Sequence, residues 1–348
     1  MSKVLQVSLY DGDAKEWDSF VQRHEKSTFF HQIGWKNVVE KTYGHKPFYL
    51  ITRENAEVKG ILPLFLMKHL LFGRFLISVP FGDCGGICAE NDEVANTLLN
   101  EAIELVQTQN VKFLELRQIE GINSEKLLTK TSRASLVLPL EKDADIVWKR
   151  FDPKVRNQVR KAEKSGLEAE IVGKSNLSNF YEIFSYNMRD LGSPVHSSFF
   201  FENILNEFPK FSDIIAVKSD GKTIGSAIAI YFKDTMEIPW ASSLREYFPL
   251  CPNNLLYWKA LEQGCLKGFQ YFSFGRSPWE SGTFNFKRQW GAEPVQLNYQ
   301  YYMNGGKEMP DYTPSTNSKF DIAVRLWKRL PVSVTKIIGP KIIAGIPY

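Results

Sequence analysis

The sequence predicts an α+β protein of two tandem lobes, each a mostly antiparallel mixed sheet flanked by helices. Three observations lead there. The chain has 348 residues, more than one hydrophobic core accommodates before splitting at about 250–300 residues. It is 43% apolar and 14% aromatic, enough to fill two interiors. One order of strand and helix signals also occurs twice.

The first copy begins at Pro47. PFYLITRENAEVKGILPLFLMKHLLFGRFLISVPF gives a strand, a polar turn, a second strand opening on a small residue, another turn and a third strand. Its most apolar part, Ile61 to Phe81, is interrupted by Lys68, His69 and Arg74. These residues are costly in hydrocarbon, so the stretch reads as a core hairpin. EVANTLLNEAIELVQTQN follows with helical spacing, and then VKFLELRQ as a strand.

The second copy begins at Ser212. SDIIAVKSDGKTIGSAIAIYFKDTMEIPWAS repeats the meander, with Asp220-Gly221 as its hairpin signal, and NNLLYWKALEQGCLKGF and QYFSFGRS repeat the helix and strand. Gly225 falls in the place of Gly60, 165 residues later, and Arg276 in that of Arg117, 159 later. Loops absorb the drift. A meander followed by helix and strand is the order of N-acetyltransferase-like (GNAT) folds, whose cleft opens where neighbouring strands part; some other α+β folds share it. The expected divisions are 1–145 for the first GNAT-like lobe, 146–310 for the second and 311–348 for a basic amphipathic segment.

The second lobe opens with FDPKVRNQVRKAEKSGL. Asp152 can cap the free backbone N–H groups, Pro153 fits the first helical position and Gly166 suits a left-handed stop, which predicts a helix over 153–165. Val155, Val159 and Ala162 fall on one face, and Arg156, Arg160 and Lys164 recur every four residues on another.

Charge placement says more than the net +4. Trp148 to Gly166 carries seven Lys/Arg against two acids, and Ser318 to Tyr348 six against one, so each adds +5 and the rest sums to 4 − 10 = −6. Such a pattern excludes a nucleic-acid protein throughout and points to local contact with phosphates or an anionic surface. In the C-terminal strip Ile322, Ala323, Leu326, Trp327 and Leu330 share one helical face, Arg325, Lys328 and Arg329 lie towards the other, and Pro331 ends the helix. Docking on the inner membrane leaflet and packing onto a lobe both fit this pattern.

The four cysteines are sparse, and MSKVLQVSLYDGD lacks the apolar core of a signal peptide. The expectation is a cytoplasmic protein without disulfides. CGGIC has neither a His nor a second Cys pair at ligand spacing, so no metal is expected. A nucleophilic Cys84 or Cys251 with His196 is a minor alternative.

KVRNQVRKAEKSGL resembles the signature that opens the second lobe of Fem-type transferases, and FGRSPWESGTFNFKRQWGAEPVQLNYQYY their closing strand, loop and strand. With VPFGDCGG and LWKRLPVSVTKIIGP, the chain is most similar to Fem-like (FemAB-type) proteins associated with exosortase, PEP-CTERM and exopolysaccharide loci. The resemblance implies transfer of an acyl or aminoacyl group to an amine of a cell-envelope, peptidoglycan or exopolysaccharide precursor. The acceptor would be a lipid-linked or nucleotide-linked saccharide. No tightly bound cofactor is implied; acyl-CoA or aminoacyl-tRNA would serve as co-substrate.

Two departures bear on the donor. The helical arm connected with tRNA in the peptidoglycan-bridge enzymes has no room after Gly166. The R/Q-x-x-G-x-G/A motif that cradles the pyrophosphate of coenzyme A is replaced by CPNNLLYW, where Asn253 and Asn254 are expected only to cap the helix.

The resemblance implies an acceptor-phosphate role for Arg156, assisted by Arg160, and a catalytic or donor-holding role for Lys287. Arg276 and Gly275 end a strand at the expected cleft, and Glu280 and Asp83 are the candidate proton acceptors. His31 and Trp35 resemble the family's first-lobe entrance; the lysine expected after this Trp is straddled by Lys36 and Lys41. Two alternatives stay open: a coenzyme A-dependent N-acetyltransferase acting on a sugar, and a non-catalytic binding protein for a lipid-linked saccharide.

Overall fold

The computed structural model describes residues 5–69, 73–306, 308–310 and 318–346. The first part of the chain forms β1 (Gln6–Leu9), α1 (Ala14–Arg23), α2 (Ile33–Tyr43), β2 (Lys46–Pro47), β3 (Leu50–Glu54), β4 (Glu57–Leu62), β5 (Leu64–His69), β6 (Gly73–Ser78), β7 (Cys88–Ala89), α3 (Asp92–Thr108), β8 (Phe113–Gln118) and β9 (Leu128–Lys130). The second forms β10 (Arg133–Pro139), α4 (Ala144–Arg150), α5 (Pro153–Lys164), β11 (Leu167–Val172), α6 (Leu177–Leu191), α7 (Ser198–Glu207), β12 (Ser212–Ser219), β13 (Lys222–Phe232), β14 (Thr235–Ser243), α8 (Pro252–Leu266), β15 (Tyr271–Pro278), α9 (Gly282–Arg288) and β16 (Glu293–Gln296). β17 (Asn298–Met303), α10 (Ser318–Trp327) and α11 (Val332–Ile343) complete the chain.

The two meanders repeat residue for residue. Thr52 pairs with Gly60, the register then shifts, and Arg53 and Glu54 pair with Val58 and Glu57. Val217 pairs with Gly225, the register shifts, and Lys218 and Ser219 pair with Thr223 and Lys222. Each position is 165 later than its counterpart (225 − 60), irregularity included. The second unit holds one seven-stranded sheet, β11-β12-β13-β14-β15-β10-β16. The first splits into β1-β3-β4-β7 and β2-β5-β6-β8-β17-β9.

Among the described residues, each unit shows a parallel pair that separates. β14 pairs with β15 only from Thr235↔Tyr271 to Glu237↔Ser273, although the strands run on to Ser243 and Pro278. β6 pairs with β8 only at Leu76↔Leu114 and Ile77↔Glu115. This is the parting of strands that the element order predicts. The Ile61–Phe81 stretch contains the β5–β6 hairpin, whose Leu64, Phe65, Met67, Phe75, Leu76 and Ile77 are buried.

The compact units are Met1–Ser132 with Gln296–Tyr312 and Ala344–Tyr348, and Arg133–Val295 with Thr313–Ile343. The expected cut at 145 therefore falls inside the second unit, because β10 pairs with β15. The expected end of the second lobe at 310 also differs, because β17 pairs with β8 and β9 in the six-stranded sheet of the first unit.

Helix ends follow their side chains. Asp152 Oδ1 accepts the Lys154 N–H at 2.7 Å, Pro153 opens α5, and Gly166 lies at φ +77°. Val155, Val159 and Ala162 turn into the second core beside Leu256, Ala260 and Leu261 of α8, which leaves the arginines of α5 on its other sides.

Candidate functional site

In the second unit β15 carries a bulge. Its register with β10 jumps from Ser273↔Val137 to Arg276↔Ser135, so Phe274 and Gly275 stand against the single Leu136. Gly275 has φ +71°, where a Cβ is strained, and its N–H donates to Ser273 Oγ at 3.1 Å. The Gly275 and Arg276 carbonyls converge on Lys287, whose Nζ donates to them at 3.0 and 2.9 Å. Lys287 comes from α9, capped by Ser281 through the Phe284 N–H, and is only 8% exposed. A buried ammonium held on carbonyl dipoles is a fixed positive charge in a medium that screens it weakly. It sits on the stretch of β15 that has left β14.

Glu280 is exposed just before α9, at φ +58°, and its carbonyl accepts from Asn285 Nδ2 at 3.4 Å. Arg156 and Arg160 lie on α5. Arg156 is half-buried, with its Nε lacking a hydrogen-bond partner among the described residues. Arg160 is exposed and stacks its guanidinium 5.6 Å from the Trp148 ring centroid.

The α8 N-terminus is poor in donors. Pro252 has no N–H, and the Asn254 and Leu255 N–H groups both return to the Cys251 carbonyl. The expected capping by Asn253 and Asn254 is corrected: Asn253 Oδ1 accepts from Ser243 Oγ at 2.7 Å, and Asn254 Nδ2 donates to Gln158 at 3.1 Å. The left-handed Cys251 (φ +60°) carries the chain into the helix without a side-chain cap. On α6 a cavity of about 810 Å³ opens beside Glu182, Tyr186, Asp190, Lys222 and Arg245, a lining of mixed charge.

His31, Trp35 and Asp83 belong to the first unit. Trp35 is fully buried, donates its indole N–H to the Pro80 carbonyl at 3.2 Å and packs against Phe29 and Phe30, so it shapes its surroundings from the core. His31 is 2% exposed; its Nδ1 accepts the Thr28 N–H at 3.0 Å, which leaves the proton on Nε2, 3.1 Å from the Gly86 carbonyl and 3.2 Å from Cys88 Sγ. A protonated Nε2 cannot take a proton from that thiol. Asp83 is half-buried, and its carbonyl accepts from Tyr299 at 2.9 Å.

Sequence reasoning used Arg117 only as a marker of the repeat and missed what surrounds it. Arg117 is 3% exposed, donates from Nε to Glu115 at 2.9 Å and from Nη1 to the Gly82 carbonyl at 2.7 Å, while its own carbonyl takes the Gly85 N–H. These bonds fasten the loop after β6 where β6 and β8 part. A Cβ at Gly85 would lie 2.4 Å from Val79, so the loop closes only around glycine. A cavity of about 160 Å³ remains beside His31, Thr28 and Gln118. The 159-residue offset to Arg276 was the available signal. His196 lies in the second unit, stacked on Phe200, while Cys84 lies in the first.

Residues 149–288 match a GNAT-type acetyltransferase domain family. The lipid II:glycine glycyltransferase of Staphylococcus aureus is 23% identical over 234 residues, which cover 60% of this chain and 54% of that protein. The chain thus spans about half the length of the curated relatives it matches. Among solved structures, FemX superposes with a TM-score of 0.68 at 15% identity over 85% of this chain and 97% of FemX. A tandem GNAT protein from the clavulanic acid biosynthesis pathway superposes at 0.56 and 10% identity over 88% and 100%. Two GNAT-like units with the same parted strands, a GNAT-type acetyltransferase domain match over residues 149–288 and these superpositions agree on the GNAT fold, and within it the chain is similar to Fem-type transferases.

Proposed function

We propose that the protein transfers an acyl or aminoacyl group from an activated ester to an amine of a lipid-linked peptidoglycan or related envelope precursor. The observation that carries this reading is the buried Lys287 ammonium fixed on the Gly275 and Arg276 carbonyls beside the parted strands, in a chain similar to lipid II:glycine glycyltransferase. The acceptor amine attacks the donor's carbonyl carbon; the C–N bond forms, the ester C–O bond breaks, the amine gives up a proton and the leaving oxygen gains one. Lys287 stabilises the negative charge that develops on the carbonyl oxygen. Glu280, exposed just before the same helix, accepts the amine proton. The activated ester supplies much of the drive, so positioning does the rest.

Arg156 and Arg160 hold an acceptor phosphate, for which a guanidinium fork is suited. Arg276 and Gly275 shape the cleft wall, and Trp35 and His31 support the first lobe from within. The few free donors at the α8 N-terminus count against acyl-CoA, whose pyrophosphate needs several backbone N–H groups, and leave aminoacyl-tRNA, held without the helical arm that has no room after Gly166, or another activated ester as the donor. The acceptor places the work at the cytoplasmic face of a membrane, and exosortase or exopolysaccharide loci remain its proposed setting.

Purified protein, lipid-linked precursors and a cell extract supplying donors are incubated, and the product mass is read. An increment equal to one acyl or aminoacyl residue is expected. Tight precursor binding without any increment would leave a non-catalytic binding protein, and an increment supported by acetyl-CoA alone would leave the sugar N-acetyltransferase.

A further inference from the structure

The C-terminal helices are anchored on one side and apolar on both. Trp327, Val332, Thr335, Gly339 and Ile343 are buried. The anchoring is specific: Arg189 Nη1 donates to the Leu330 carbonyl at 3.1 Å, Lys336 pairs with Glu182, and a Cβ at Gly339 would lie 3.0 Å from the Val195 backbone. The helices are therefore held, and their outward faces are fixed surfaces. Those faces carry Ile322 and Leu326 on α10, 62% and 59% exposed, and Val334, Ile337 and Ile342 on α11, with Ile337 at 67%. The expected single apolar face of α10 is thereby corrected. Trp327 turns inward while Ile322 and Leu326, four residues apart, turn out.

A helix apolar on both sides belongs in a core or against lipid. Around the exposed aliphatic residues stand Arg325, Lys328, Arg329 and Lys341, all exposed, against the one acid Asp321. Exposed Leu191 and Phe199 flank the connection that supports the helices, where Gly192 lies against Val324 and Lys328. Among the described residues no helix is long and apolar enough to cross a membrane.

We infer that the outer face of α10 and α11 docks the second unit onto an anionic lipid bilayer. Aliphatic side chains enter the boundary between headgroups and acyl chains, and the four cations meet lipid phosphates. Charge selects this occupant. A second copy meeting the same face about a two-fold axis would set cation against cation, whereas an anionic leaflet complements the whole rim. The docking holds whichever group the protein transfers.

The full chain is co-sedimented with vesicles of phosphatidylcholine alone and of phosphatidylcholine mixed with phosphatidylglycerol. Pelleting with the mixed vesicles only, and release at high salt, is expected. Leu326→Asp with Ile337→Asp alters two exposed positions, so the melting temperature should hold while the partition coefficient falls roughly tenfold or more. Should that pair disturb folding, Arg325→Gln with Arg329→Gln serves instead and should weaken binding and flatten its salt dependence. A chain that stays in the supernatant with both vesicles overturns the proposal, as does unchanged pelleting of either folded double variant. A dimer that the Asp pair splits, without vesicle binding, would assign the face to a second copy.

Discussion

Lys287 Nζ and the Gly275 carbonyl oxygen lie 3.0 Å apart, the lysine rising from α9 and the glycine sitting in the bulge of β15. The contact joins a backbone irregularity to a buried charge, and a change to either partner is felt at the other.

Lys287→Met should reduce kcat by more than roughly tenfold per folded molecule, because the fixed charge is lost while side-chain bulk is kept. It also strands the Gly275 and Arg276 carbonyls, at a cost of about 1–3 kcal/mol. Calorimetry beside single-turnover kinetics separates the two effects. An unchanged kcat in the folded variant would leave Lys287 a structural tie.

Gly275→Ala places a Cβ at φ +71° and should destabilise by about 1–2 kcal/mol, with the bulge partly flattened. Loss of activity beyond the lost folded fraction is expected, since the carbonyls that hold Lys287 move. Melting temperature and kcat measured on the same sample check both points.

Arg156→Ala should weaken a phosphorylated, lipid-diphosphate-type acceptor at least roughly tenfold with stability changed by less than about 1 kcal/mol, and Arg156→Lys should restore little of it. Titration calorimetry with a soluble acceptor analogue measures this. Equal affinities for wild type and both variants would remove Arg156 from the acceptor site.

His196 is buried and stacked on Phe200, and burial pushes its imidazole down to about 3. Its unfolded value is near the ordinary 6.5, so between about 6.5 and 3 the unfolded chain binds the extra proton. Stability associated with the neutral ring is whole above pH 6.5 and falls by about 1.4 kcal/mol per unit as pH drops through that window. His196→Phe should remove this part of the acid slope while keeping the stack. Urea midpoints from pH 7 to pH 4 for the two proteins would show parallel lines if His196 were not involved.

Local and repeating features were legible in the sequence. The Gly60 and Gly225 alignment anticipated equivalent hairpins, because both strands of each are encoded within a few residues of one another; the shared register and its irregularity came from the structure. Asp152, Pro153 and Gly166 marked α5 within a residue, because caps act over one turn. Non-local pairing was less legible. Nothing in the composition of Asn298–Met303 says that it crosses back to β8, nor that Arg133–Pro139 joins β15. Asn254 looked like a cap because Asn commonly is one, and its bond to Gln158 depends on α5 and α8 meeting. Lys287 was visible as part of a motif, but its two carbonyl partners required the bulge.

The pairing of β17 with β8 also orders events at the ribosome. All six residues of β8 are buried, and the strand that covers its second edge starts 180 residues after β8 ends (298 − 118). At about 5–20 residues per second, that edge waits roughly 10–35 s while Arg133–Val295 of the second unit is made. The nascent first unit therefore holds Phe113, Leu114 and Leu116 on a strand with one edge unpaired, the kind of edge on which chains aggregate or chaperones bind. A chain cut short before Asn298 keeps that edge open permanently, so the first unit cannot complete its own sheet however well its local signals are written.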